Sequence, residues 1–344
     1  MSGKRQHFVP RFLQEGFASH ANRGELFTWL YRKKTRPINT NIVNVGIEGF
    51  FYTNGNDTKA DDLITTAEEI YSNLVKELRT SSPMRVSDPR IPELIAHLEV
   101  RTRHLRQNFS RTGNYILSRF LDFMCDEDFF AGYLERALRN DPSILRKAIA
   151  DELEKRDLPK AILETMMEVS SPLLPALIEQ MMPTLRQGAE YLRCVLPTKL
   201  SGAAKSGHIS ALKKDKSPKV RLLRYKDLTY EVVDVQESSL ILGDSAVLFH
   251  VEGPKPFKTF IDKDDGLNAV ILPLTSRRLL VGAREGFSVS GHIWPEAIAR
   301  CSLEYFIANE NSYANLLLQG LIGEDADLLT RAELEDIISE IMNE

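Results

Sequence analysis

The sequence predicts an α+β fold, with N- and C-terminal strands forming a mainly antiparallel sheet and a large helical section in the middle. Two observations predict it. Short runs rich in aromatic and β-branched residues gather near both ends of the chain, and helical periodicity dominates from about residue 60 to residue 200. The order, strands then helices then strands, points to segregated layers rather than an alternating doubly wound sheet.

Glu25 to Tyr31 alternates loosely and is rich in β-favouring residues, Arg32 to Arg36 is a polar turn, and Pro37 to Val45 returns as the second arm of a hairpin. Phe51-Tyr52 leads into Asn54-Gly55-Asn56, a turn signal. From Ala60 to Leu78 the apolar residues Leu63, Ala67, Ile70, Tyr71, Leu74 and Leu78 lie on one helical face. A second helix is expected from about Pro92 to Phe109, with Pro92 in its first turn. Helical patterns continue over 114–122, 126–139, 142–156, 159–169 and 172–192.

The Gly/Ser/Lys-rich stretch from Gly202 to Pro218 has no clear periodicity and reads as an exposed connector. Strand-like runs follow at 220–225, 229–235, 239–250, 258–261 and 269–274, and 295–319 and 331–342 return to helix. The expected organisation is residues 1–110 with strands and two helices, a helical section over 111–200, a basic connector over 201–219, and 220–344 packed with the N-terminal part as one domain.

With 344 residues and 43% hydrophobic content the chain is long enough to bury a full core. Cys125, Cys194 and Cys301 are far apart, and no Cys/His cluster has metal-ligand spacing, so neither metal nor cofactor is expected. The N-terminus lacks the apolar stretch of about 7 to 15 residues that a signal peptide needs. Nowhere do about 18 uncharged apolar residues run together. A cytoplasmic protein with no membrane span is therefore expected. P-loop, Rossmann, α/β-hydrolase and zincin motifs are all missing.

Net charge is −4, but it is unevenly spread. Lys4, Arg5 and Arg11 belong to a basic N-terminal arm, and Lys213, Lys214 and Lys216 to a second basic stretch, whereas the tail from Glu324 onward is acidic. These six cations are the candidates for holding nucleic-acid phosphates, although like-charge runs also occur on ordinary solvated surfaces.

On one continuous second helix, at about 100° per residue, Glu93, His97, Arg101, His104 and Asn108 fall in a stripe roughly 80° wide. Two imidazoles and a guanidinium in a row are the parts needed for metal-free phosphodiester cleavage. The alternative is the polar flank of an amphipathic helix, with Glu93 and His97 an i,i+4 pair. The spacing also departs from the Arg-x4-His pattern of helical nucleases. His7, beside basic residues and before Val9-Pro10, and Asp244, in a strand-to-turn step, complete the candidate catalytic set. Each has a plain structural alternative: an imidazole bonded to a neighbouring strand, and a turn carboxylate accepting backbone N–H groups. Glu68 and Glu69 rank last, because adjacent helical side chains diverge by about 100°.

The opening Lys4-Arg5-Gln6-His7-Phe8-Val9-Pro10-Arg11-Phe12-Leu13-Gln14-Glu15-Gly16-Phe17 resembles the start of the bacterial family known as domain of unknown function 4238. Phe51-Tyr52, a Glu at 68 or 69, Arg101-Thr102, Leu242-Gly243-Asp244-Ser245 and Pro273-Leu274-Thr275-Ser276 resemble later elements of that family, with Ala246 and Arg277 where proline is usual. The resemblance implies no agreed activity and a setting among genes of anti-phage defence.

The leading expectation is a defence or toxin-type protein acting on nucleic acid, a nuclease-like hydrolase if an enzyme. The alternative is a non-catalytic sensor or interaction module that recognises a phage or host protein.

Overall fold

The computed structural model describes residues 5–215, 217–236, 239–287 and 293–343. The strands are β1 (Arg5–His7), β2 (His20–Asn22), β3 (Glu25–Arg32), β4 (Ile38–Asn41), β5 (Ile47–Gly49), β6 (Met84–Val86), β7 (Thr229–Asp234), β8 (Leu242–Gly243), β9 (Leu248–Val251), β10 (Phe257–Lys258), β11 (Leu267–Thr275), β12 (Arg278–Ala283) and β13 (Tyr305–Ala308). The helices are α1 (Arg11–Gln14), α2 (Lys59–Thr80), α3 (Arg90–Val100), α4 (Arg103–Cys125), α5 (Glu127–Asn140), α6 (Pro142–Lys155), α7 (Leu163–Lys214), α8 (Lys219–Lys226), α9 (Trp294–Cys301), α10 (Tyr313–Leu321) and α11 (Arg331–Asn343).

The fold is α+β with antiparallel sheets and a large helical middle. One sheet runs β10-β9-β11-β12-β7-β6, a second runs β2-β3-β13-β8 with β4 beside β3, and β1 pairs with β5. N- and C-terminal strands share sheets, because β13 pairs antiparallel with β3 (Ala308 opposite Trp29) and β6 with β7 (Val86 opposite Tyr230). In the middle of the larger sheet, β11 is buried from Ala269 to Leu274, which explains its continuous apolar run. Gly16 lets the chain after α1 lie against this strand, since a Cβ there would sit 2.0 Å from the Leu274 carbonyl oxygen.

Contacts divide the chain into two units. The first comprises Met1–Ser110 with Ala203–Glu333, and contains every sheet among the described residues. The second comprises Arg111–Gly202 with Leu334–Glu344, and its core gathers Phe123 and Phe130 with Leu174, Ile178 and Met182 of α7.

Five local expectations are corrected. The expected second helix is two helices, α3 and α4, because Arg101 closes the first and Thr102 opens the next, its Oγ1 accepting from the Leu105 N–H at 3.2 Å. The expected connector is largely helix: α7 runs on to Lys214 because Ile209 and Leu212 are buried against the first unit's core. Pro172 and Pro175 lie inside α7 rather than opening a new helix, held there by the packed Leu174–Ile178–Met182 seam.

Val220 to Tyr225 is helix α8, not a strand. Asp215 accepts from the backbone N–H groups of Ser217 and Lys219 just before it, and Arg221 and Tyr225, one turn apart, both reach Glu99. Tyr305 to Ala308, read as helical, is the strand β13. All four residues are buried between β3 and β8, and such a wholly buried four-residue run does not reveal its period in sequence.

Candidate functional site

Segments far apart in sequence meet at Arg101, which is 1% exposed where α3 gives way to α4. A buried guanidinium is tolerated only when its donors are met. Here Nε donates to the Tyr52 hydroxyl at 3.1 Å and Nη2 to the His7 carbonyl at 2.7 Å. Nη1 lies 2.6 Å from a Glu68 oxygen and 3.1 Å from His97 Nε2. With the guanidinium as the donor, His97 Nε2 accepts, which makes this imidazole neutral with its proton on Nδ1. Its ring packs on Tyr71 with centroids 5.1 Å apart.

Gln6 ties the same region together: its amide donates to Thr53 Oγ1 at 2.8 Å while its carbonyl accepts from the Tyr52 N–H at 2.6 Å. Burial pushes the Tyr52 phenol up to about 12. Glu68 is the member that reaches solvent, its side chain 31% exposed. Glu69 is not part of this cluster.

His7 contributes its backbone carbonyl to Arg101, while its half-buried imidazole turns to the backbone of Val43. Burial, reinforced by Arg11 and Arg101, lowers its pKa to about 4, so it is neutral at pH 7. Its Nε2 is buried and has no hydrogen-bond partner among the described residues.

The other candidates lie elsewhere. His104, 2% exposed, hydrogen-bonds the Ala326 carbonyl and approaches Thr259 Oγ1, and Asn108 accepts from the Leu328 N–H at 2.9 Å. The break at Thr102 therefore separates His104 and Asn108 from His97 and Arg101, and the acid–imidazole–guanidinium–imidazole row is not assembled. Asp244 is a third location, 4% exposed, accepting from the N–H groups of Leu303 (2.9 Å), Glu304 (2.6 Å) and Tyr305 (3.3 Å). Burial raises its pKa to about 6 even though those three amides oppose the shift.

Among the expected phosphate-binding cations, Arg5 and Arg11 are exposed near His7, and Arg5 donates to Asn44 Oδ1 at 2.7 Å. Lys213 is paired with Asp57, and Lys214 is exposed. Lys4 and Lys216 fall outside the described residues. Among the described residues no group of three or more His, Cys, Asp or Glu side chains is placed to hold a metal ion.

The sequence matches the family described as "Protein of unknown function (DUF4238)" over residues 5–291, most of its length. The chain belongs to the DUF4238 family. No curated protein and no solved structure matches it. In this DUF4238 chain the Arg101 cluster draws on residues that sequence reasoning left out: Tyr52 and Gln6 were not candidates, and Glu68 ranked last. The available signal was Arg101 itself, since an arginine on a helix expected to pack against a core demands a carboxylate and several acceptors nearby.

Proposed function

We propose that this DUF4238 protein is a recognition protein that docks the apolar face of another protein, rather than a hydrolase centred on the second helix. One observation carries the reading. Met166, Val169, Leu173, Leu177 and Met181 form an exposed row along α7, while Leu174, Ile178 and Met182 form the buried seam of the same helix. A helix whose apolar surface extends this far beyond its buried seam normally has the extension covered.

The charges on the same stretch of α7 favour a protein over a bilayer. Glu168 and Glu179 are exposed in a strip about 150° around α7 from the row, and neither pairs with a described residue. A carboxylate inside hydrocarbon costs about 3 kcal/mol. Interfacial helices carry lysine and arginine on their polar face, which is the opposite of this strip. The matching partner is a protein surface that offers apolar side chains to this row. The setting implied by family resemblance, phage defence, makes a phage or host protein the natural source of such a face.

A photo-crosslinking amino acid placed at Leu177, with expression in bacteria with and without phage, tests the reading. A discrete protein adduct lost in a folded Val169→Glu/Leu173→Glu variant supports it, and no such adduct counts against it.

The enzymatic reading retains one specific support, His7. Its imidazole is neutral, with an unpartnered Nε2, and the exposed Arg5 and Arg11 nearby are the cations that could hold a phosphate. Nε2 is buried, so contact with substrate requires the ring to turn outward. Nucleic-acid and nucleotide pools measured after expression of the protein and of His7→Ala test this reading. Specific cleavage that disappears in the folded variant would establish it, and unchanged pools with the intact protein would remove it.

A further inference from the structure

The first unit contains a cavity of about 630 Å³ that the preceding reading does not use. Its walls come from the end of α3, the start of α4, the last turns of α7 and the loop at Phe260, and they are mainly apolar: Val100, Leu105, Phe109, Gly207, Leu212 and Phe260. Small-molecule sites run from about 300 to 1,000 Å³ and combine such walls with a few polar groups that fix orientation. Phe109 is 62% exposed at the edge, unusual for a phenylalanine with nothing to cover.

The polar groups of this cavity are unequal in what they leave unused. His208 is spent inward, on the Val100 carbonyl at 2.7 Å and on Arg106, and burial lowers its pKa to about 4, so it contributes no charge. Asp215 accepts from the N–H groups of Ser217, just before α8, and of Lys219, its first residue. Arg221 lies with its guanidinium 4.1 Å from the Phe260 ring centroid and spends only Nη1, on Glu99 and the Ile261 carbonyl. Its Nε and Nη2 make no bond to the described residues, and exposed Lys214, which lines the same cavity, makes none either. An apolar cavity thus ends in unspent positive donors.

We propose that this cavity binds an amphipathic anion, a single hydrocarbon body ending in a carboxylate or phosphate, with the body along Leu105, Phe109 and Leu212 and the acid group at Lys214 and Arg221. The free acid and an anionic lipid share this chemistry.

Gly207 offers a clean test. It lines the cavity on α7, and a Cβ added there meets nothing within 4 Å. Gly207→Phe therefore fills the space while improving helix propensity. Dodecanoate, dodecylamine and dodecanol are titrated by calorimetry into the whole chain, into Gly207→Phe and into Lys214→Glu. Saturable binding of one dodecanoate per chain is expected, with affinity falling by at least about tenfold in Gly207→Phe at unchanged Tm and several-fold in Lys214→Glu. Dodecylamine should bind far more weakly than dodecanoate. Flotation with vesicles of phosphatidylcholine and phosphatidylglycerol distinguishes the source: vesicle binding lost in Gly207→Phe supports the proposal with a bilayer lipid as ligand. Should Gly207→Phe lower Tm, Ala204→Leu serves as the second cavity-filling variant. Absence of saturable binding by dodecanoate and by vesicles, binding unaffected by the folded filling variant, or equal affinity for the amine overturns the proposal.

Discussion

Glu68, on α2, holds Nη1 of the buried Arg101 at 2.6 Å and is its one carboxylate partner among the described residues. Around this ion pair the structure gathers the His7 carbonyl, the Tyr52 hydroxyl and His97, fixing β1, the loop after β5, and the helices α2 and α3 to one another. Removing one partner of a buried pair costs more than the pair contributes, because a charge is left unmet.

Glu68→Ala is accordingly expected to lower stability by about 2 kcal/mol, less than for a fully buried pair because Glu68 is 31% exposed. In a double-mutant cycle with Arg101→Met, measured by urea denaturation, the double variant should lose less than the sum of the single losses by about 1 kcal/mol or more. Simple additivity would mean that the pair does not couple these elements.

Acid should weaken the first unit through His208. Its folded pKa, about 4, lies below the ordinary 6.5, so the stabilising effect of keeping it neutral is complete above pH 6.5 and fades as pH falls towards 4. The urea midpoint of the intact chain should drop steeply between pH 7 and 4.5. His208→Gln should lose a substantial part of that dependence, on the order of 3 kcal/mol at most. An unaltered pH profile in this variant would contradict the assignment.

Asp244 works in the opposite direction. Its pKa is raised to about 6, so the protonated carboxyl fits the fold better than the carboxylate, and the stabilising effect present below about pH 4 disappears as pH rises through 6. Asp244→Asn should remove this contribution and leave a stability curve with a steeper rise from pH 4 to 6. It should also lower stability at pH 7, because an amide NH2 would face a backbone N–H where Asp244 now accepts from three.

Thr102 sets the junction that separates the two histidines. Thr102→Ala should cost about 1 kcal/mol through loss of the cap on α4. Amide exchange should quicken at the start of α4, read by mass spectrometry, with α2 unaffected. Uniform change across the chain would mean that the cap has no local role.

The sequence announced the fold class through the aromatic strands and the apolar face of α2, because these depend on local periodicity. It did not announce β13, whose four residues are buried by pairing with β3 from the other end of the chain. It did not announce α8 either, where Asp215 and the partnership of Arg221 and Tyr225 with Glu99 override a β-favouring composition.

For the candidate site the decisive detail was a single residue. Read without a break at Thr102, the second helix aligns His97, Arg101 and His104. With the break, His97 and Arg101 turn to Glu68 and Tyr52 while His104 binds residues near Ala326. Burial of a polar row cannot be read from spacing alone, since the same spacing serves a solvent-facing edge and an interior network.

The central claim, that the exposed face of α7 receives another protein, is tested most directly by in-cell photo-crosslinking from Leu177. The account predicts a discrete protein adduct that depends on Val169 and Leu173 and is absent when the crosslinker is moved to Lys59 on α2. No adduct from Leu177 under any condition, or one that persists unchanged in the folded Val169→Glu/Leu173→Glu variant, would contradict it.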